Sequence, residues 1–358
     1  MESLRLTGRA LAKPADVVRW LVAVQSQDYG PAKWSVGARL RSGDDAALDR
    51  AYARGTLLRT HVLRPTWHFV LPDDIRWLLD LTGPRVRRMM SYYEGHLGID
   101  ARLTKRTIDR FVKALEREGR MTRTELADEL ERGRIEARGQ RLNHIVMNAE
   151  LAGAICSGGL RGKQHTYALL DERAPKARRL DRDEALAELT RRYFTSHGPA
   201  TVKDFSWWAS LPTGDIKRGL DAAGDVIASE EVDGRTFWFA SGAKPPSAGP
   251  PKAHLLQAYD ELIVGYTDSR YLLDLAGSVP KQTPTERIVY PGAVVIGTQV
   301  VGHWKRTVGE KTVRLDVAVY RKLNGAQAKA LDEEGRRLGR FLGLEPSVTT
   351  TRIANSLR

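Results

Sequence analysis

Gly119-Arg120-Met121-Thr122-Arg123-Thr124-Glu125-Leu126 recurs 79 residues on as Gly198-Pro199-Ala200-Thr201-Val202-Lys203-Asp204-Phe205. In each copy a glycine closes one helical pattern and a threonine stands where an N-cap accepts. An acid follows three positions later, ahead of an apolar residue, which is the capping-box signature. A repeat that keeps cap, acid and first apolar residue at a fixed offset marks a repeated supersecondary unit. Outward from the first copy, residues 105–118 predict an amphipathic helix stopped at Gly119, 125–132 a short helix and 140–155 a longer one. Leu142, Ile145, Val146, Ala149 and Ala152 share a face of the last. Gly158-Gly159 is expected to turn the chain into a strand over 164–169. Around the second copy, 184–196 and 212–223 read as helices, and 225–240 as a hairpin turning at Asp233-Gly234. Helix, short helix, longer helix and two-stranded wing is the order of a winged helix-turn-helix.

The N-terminal part reads the same way. Residues 14–27, 32–40 and 44–54 predict helices, and 57–71 an extended stretch punctuated by Arg64-Pro65. A helix over 73–93 leads out and carries Arg85, Arg87 and Arg88. Three winged units are therefore expected, over 1–98, 99–176 and 177–242. Residues 242–252 hold four prolines and read as a linker. Residues 253–358 turn mostly β, with strands expected over 287–291, 293–296, 299–306 and 312–320, a helix over 327–342 and a last short strand after Ser347. The class is α+β, with a barrel-like β-rich domain at the C-terminal end.

Composition narrows the function. The 358-residue chain is 42% hydrophobic and 28% charged, with a formal net charge of +13. That excess of Lys and Arg favours a polyanion, nucleic acid first. No apolar run reaches the length of a membrane span, and Met1 to Ala12 carry no apolar block, so neither span nor secretory leader is expected. One cysteine, Cys156, suits a reducing cytoplasm. Ser157-Gly158-Gly159-Leu160-Arg161-Gly162-Lys163-Gln164 lacks both the first glycine and the final hydroxyl of a phosphate loop. Zinc-ligand spacings and a Gly-x-Ser-x-Gly elbow are missing too, so no metal or other cofactor is expected.

One stretch stands out chemically: Trp20-Leu21-Val22-Ala23-Val24-Gln25-Ser26-Gln27-Asp28-Tyr29-Gly30-Pro31. Val17, Val18, Leu21, Val22 and Val24 make an apolar helical face, and Gln25 interrupts it. Gln25 and Gln27 cannot face one pocket from inside a regular helix. They can converge at a helix end, which Gly30-Pro31 places nearby. The two amides then either line the lip of a cleft or simply cap carbonyls of a neighbouring loop.

With these pieces placed, the sequence resembles the winged-helix DNA-binding family that includes the AlkZ-like DNA glycosylases. The matching segments are Ala23 to Asp28, Arg59 to His68, Ser157 to Tyr167, Gly198 to Trp208, Leu255 to Glu261 and Gly292 to Arg306. The resemblance implies three tandem winged helices around a C-shaped cleft for double-stranded DNA, in a monomer working at the nucleoid. It also implies a catalytic glutamine–aliphatic–glutamine motif, which falls on Gln25 and Gln27 with Ser26 departing at the middle position. The 299–306 stretch would be a hairpin approaching the DNA groove. Arg85, Arg87, Arg88, Arg161, Lys163, Lys305 and Arg306 are the candidate phosphate contacts. The activity expected is hydrolysis of the N-glycosyl bond of cationic N-alkylated purines, of the 7-alkylguanine type, bulky adducts and interstrand crosslinks included. The competing reading is a winged-helix DNA-binding regulator without enzymatic activity.

Overall fold

In the computed structural model, which describes residues 1–244, 249–279 and 292–353, both copies of the repeat close as capping boxes. Thr122 Oγ1 accepts from the Glu125 N–H while the Glu125 carboxylate accepts from the Thr122 N–H. Thr201 and Asp204 repeat the exchange. Each box satisfies amide donors that a helix start otherwise leaves open. Asp204 also holds a distant loop: its other oxygen accepts from the N–H groups of Thr267, Asp268 and Ser269.

The N-terminal part consists of α1 (Pro14–Leu21), β1 (Val24–Gln25), α2 (Tyr29–Gly37), α3 (Asp45–Ala53), β2 (Leu58–Val62), β3 (Arg64–Val70) and α4 (Ile75–His96). Then come α5 (Ala101–Glu118), β4 (Met121–Thr122), α6 (Arg123–Arg132), α7 (Gly139–Leu151), β5 (Ile155–Arg161), β6 (Gln164–Leu169) and α8 (Leu170–Arg173). The second repeat copy lies in α9 (Arg182–His197), α10 (Val202–Ala209), α11 (Thr213–Ala223) and the hairpin β7 (Ile227–Val232) and β8 (Arg235–Ala240). The C-terminal part contains β9 (Ala253–Gln257), α12 (Glu261–Val264), β10 (Gly292–Ile296), β11 (Gln299–Val308), β12 (Thr312–Val319), α13 (Gly325–Leu342) and β13 (Glu345–Arg352).

Four expectations need correcting. The helix expected over 14–27 ends at Leu21, where Val22 takes a positive φ of 72°, and the chain continues extended. Residues 21–26 are buried on every side. An apolar run of that kind satisfies helix and strand periodicity alike, so spacing could not separate them. Gly158-Gly159 is not the wing turn but a bulge inside β5, with Gly159 at φ 94°. A side chain at Gly158 would press on the Thr166 hydroxyl and Tyr167 backbone. The chain reverses instead at Gly162-Lys163. The C-terminal strands do not close a barrel: the described residues form an open sheet ordered β13-β12-β11-β10-β9, with β13 parallel to β12 and the other pairs antiparallel. Finally, residues 299–306 belong to one continuous strand, and the reversal follows at Gly309, whose N–H bonds the Thr312 carbonyl. The strand expected over 287–291 lies outside the described residues.

The apolar core is in two pieces. One gathers Phe111, Leu115, Leu126, Leu130, Ile145 and Tyr167; the other joins the N-terminal part, the α9–β8 region and the C-terminal sheet. α2 is the fastener of the larger piece. Trp34 Nε1 donates to the Leu255 carbonyl at 2.6 Å and its ring packs on Phe341. At the end of α2 the fully buried Arg39 forms a bidentate pair with fully buried Asp260, both contacts 2.8 Å. A planar guanidinium facing a carboxylate satisfies both charges by geometry, whereas removing one leaves the other stranded. Asp260→Ala should cost about 3–5 kcal/mol in urea unfolding, whereas Asp109→Ala, which breaks the exposed Lys105–Asp109 pair, should cost less than about 1 kcal/mol.

Candidate active site

β1 is only two residues long, yet its register decides the site. Val24 lies opposite Phe69 and Gln25 opposite His68 on β3, and the Ser26 N–H to Trp67 carbonyl bond carries the pairing one residue further. Gln25 closes the strand and Gln27 lies in the bend beyond it, its side chain exposed where that of Gln25 is buried. The segment that carries the two glutamines is thus a short strand and the bend after it, not the helix end expected. Ser26 is fully buried and its hydroxyl has no partner among the described residues.

Gln25 is buried, at 5% exposure, in contrast to the accessible amide expected. Its N–H donates to Glu261 Oε1 at 3.0 Å, and its Oε1 accepts from Arg64 Nη2 at 2.8 Å. Arg64 also donates to the Trp208 carbonyl. Glu261 further accepts from Trp208 Nε1 at 2.8 Å and faces His197 Nε2 at 3.4 Å. Burial by itself would raise the Glu261 carboxyl; His197, Arg64 and the Gln25 N–H outweigh it and hold the group at about 2. Burial, reinforced by Arg64, pushes His68 down to about 3, so that imidazole is neutral. Its Nδ1–H bonds the Thr66 carbonyl at 2.9 Å.

Gln27 is exposed. Its Oε1 accepts from the Trp67 backbone N–H at 3.2 Å, continuing the ladder with a side chain where β1 has ended. Arg59 donates to the carbonyls of Ser26 and Gln27 and stacks its guanidinium 4.4 Å over the Trp67 ring. The Trp67 indole N–H donates to Glu150, which also binds His61. Both glutamine carbonyl oxygens are therefore committed to protein donors. Neither side-chain NH2 has a protein partner among the described residues.

The comparisons with known proteins speak to this arrangement. The family model described as "DNA glycosylase AlkZ-like" matches residues 18–341. The chain belongs to the AlkZ-like DNA glycosylases. A relative from Streptomyces sahachiroi named "Interstrand DNA cross-link repair glycosylase" is 24% identical over 278 residues, which is 74% of this chain and 75% of that one. The solved structure "Streptomyces sahachiroi DNA glycosylase AlkZ" covers 98% of this chain and 97% of its own, at 21% identity and a TM-score of 0.78, and shows the shared fold.

As an AlkZ-like glycosylase the protein is a hydrolase of N-glycosyl bonds, and the basic residues expected to meet DNA are spread over several elements. Arg85 and Arg88 are exposed on α4, whereas Arg87 is half-buried and donates to the Asn148 carbonyl. Arg161 is engaged by Glu125 and the Arg120 carbonyl; Lys163 is exposed at the β5–β6 turn. On β11, Lys305 is exposed and Arg306 half-buried. Arg306 lies against Gly30, beside the carboxylates of Asp45 and Asp28. That brings one predicted phosphate contact to the segment that carries Gln27. Arg59, Arg64, Trp67, Glu150 and Glu261 were given no role on sequence grounds. Arg64 and Glu261 sit in segments that carry the family likeness; Glu150 is one acid in an ordinary helix, with no signal to find it by.

Three outcomes follow from this geometry. Arg59→Ala releases the backbone carbonyls that fix Gln27 and should slow single-turnover base release on the order of 10²-fold, measured with substrate saturating. His68, which touches the Arg64 guanidinium that holds Gln25, is neutral throughout pH 5 to 8 because burial pushes it down to about 3, so base release should not follow its titration over that window. Stability behaves otherwise: the depressed Glu261 carboxyl contributes above its ordinary range, and that contribution is lost as pH falls from about 4.5 toward 2.

Proposed function

We propose that this AlkZ-like glycosylase removes cationic N-alkylated purines, of the 7-alkylguanine type, from double-stranded DNA, bulky adducts and interstrand crosslinks included. The observation that carries the reading is the glutamine pair: two uncharged amides two residues apart, each oxygen fixed by a protein donor. Glutamine cannot act as a general acid or base near neutral pH. Most N-glycosyl cleavage needs a proton on the leaving base. A purine alkylated at N7 or N3 already carries a positive charge and departs neutral. The bond's electron pair goes to the base, water oxygen bonds C1′ and the water's proton passes to solvent. What the protein must supply is position and electrostatic complementarity, which fixed amide dipoles provide.

In this mechanism Gln27 holds the water, through its NH2 and the second lone pair of Oε1. Gln25 stands behind it, its NH2 oriented by Arg64, and Asp28 contributes negative potential beneath the developing oxocarbenium sugar. The name of the Streptomyces relative supports crosslinked DNA as a substrate. We take residues 1–98, 99–176 and 177–242 as three winged helix-turn-helix units lining a C-shaped cleft, with 253–358 as the β-rich part, in a monomer acting at the nucleoid. Arg85, Arg87, Arg88, Arg161, Lys163, Lys305 and Arg306 supply the phosphate contacts. With about five of them engaged, log K should fall with log salt at a slope near −4.5, and a slope near zero would remove DNA as the partner.

The direct test is release of 7-methylguanine from duplex DNA, followed by mass spectrometry. Gln27→Ala should slow release on the order of 10²-fold, and Gln25→Ala with Gln27→Ala should abolish it. Release by the double variant at the unsubstituted rate overturns the mechanism.

A further inference from the structure

The buried face of α4 is built from Gly83, Val86 and Glu94, with Met90 packed against the core beside them. Directly opposite, spaced three and four residues apart, run Arg85, Arg88, Met89, Tyr92 and His96, one stripe of a 22-residue helix. Tyr93 flanks it. These side chains are strongly exposed: 71% for Tyr92, 57% for Tyr93 and 38% for Met89. Tyr92 makes edge-to-face contacts with Tyr93 at 5.6 Å and with His96 at 4.7 Å, so the aromatic group is pre-assembled. Among the described residues, Arg85 and Arg88 have no acidic partner, unlike Arg161 or Arg192.

We propose that this stripe binds an unpaired DNA strand, the arginines holding phosphates and the tyrosines stacking on bases. The argument is chemical complementarity. Unneutralised arginines suit a polyanion. Exposed aromatic rings gain little from a regular duplex, whose base faces are hidden in the stack. They gain much from a single strand, since every base offers a face. The arginines suit the phosphates of either form, and the exposed rings are what match the stripe to single-stranded DNA. The inference rests on DNA as the family's substrate and not on which lesion is removed.

Fluorescence anisotropy with a labelled oligo(dT) of about 12 nucleotides and with a blunt duplex tests it. Tyr92→Ala with Tyr93→Ala should weaken oligo(dT) binding about tenfold or more and leave the duplex within about twofold. Phe at both positions should restore oligo(dT) binding, because stacking needs the ring and not the hydroxyl. Arg85→Ala with Arg88→Ala should weaken both and flatten the salt slope. Equal loss on both DNAs from the double tyrosine-to-alanine variant, no loss on either from it, or failure of the Phe variant to restore binding overturns the proposal. Base release by the unsubstituted protein from blunt duplex separates this failure from failure of the lesion assignment.

Discussion

Everything at the candidate site depends on one short antiparallel pairing, β1 against β3. Two ladder residues and the Ser26 N–H to Trp67 carbonyl bond set the register. A slip of one residue would break the pairing of Gln25 with His68 and turn the Gln25 side chain away from Arg64. Register is expensive to specify with so few bonds, and the surrounding side chains hold it. Arg59 grips the carbonyls after the strand, Glu261 the Gln25 N–H, and the Gln27 side chain replaces the missing ladder acceptor.

Those supports come from far apart in the chain. Glu261 follows β9, Trp208 lies near the end of α10 and Glu150 near the end of α7, so the β1–β3 pair is clamped from three separate regions, Glu261 on β1 and the other two on β3. A buried carboxylate such as Glu261 is tolerated because donors surround it, and it stays ionised for that reason. The same logic places the Arg39–Asp260 pair one residue earlier in the chain. Acid–base partners that elsewhere serve catalysis serve here to immobilise amides.

Much of this was legible in the sequence. The two capping boxes, the Asp233-Gly234 turn and the helices around them appeared as spaced residues with a local mechanism, and they formed as expected. The glutamine pair was legible as a break in an apolar face. The secondary structure under it was not, because Leu21 to Ser26 is buried on all sides and carries no period. The barrel-like expectation failed because turn glycines mark where strands end and not whether the first and last strands meet. Arg59 and Arg64 stood in plain view in the extended stretch over 57–71. Their partners are backbone carbonyls and an amide oxygen from other elements, contacts that no local pattern encodes.

In the proposed mechanism neutral amides suffice. An electrophile that brings its own positive charge removes the need for an acid, and the protein then has only to place water and match charge. The measurement that bears most directly on this compares single-turnover release of a cationic and a neutral purine, 7-methylguanine and hypoxanthine, from the same duplex position. The account predicts rapid loss of the cationic base and none of the neutral one. Comparable rates for the two would contradict it, since a neutral purine cannot leave without a proton that these residues have no means to give.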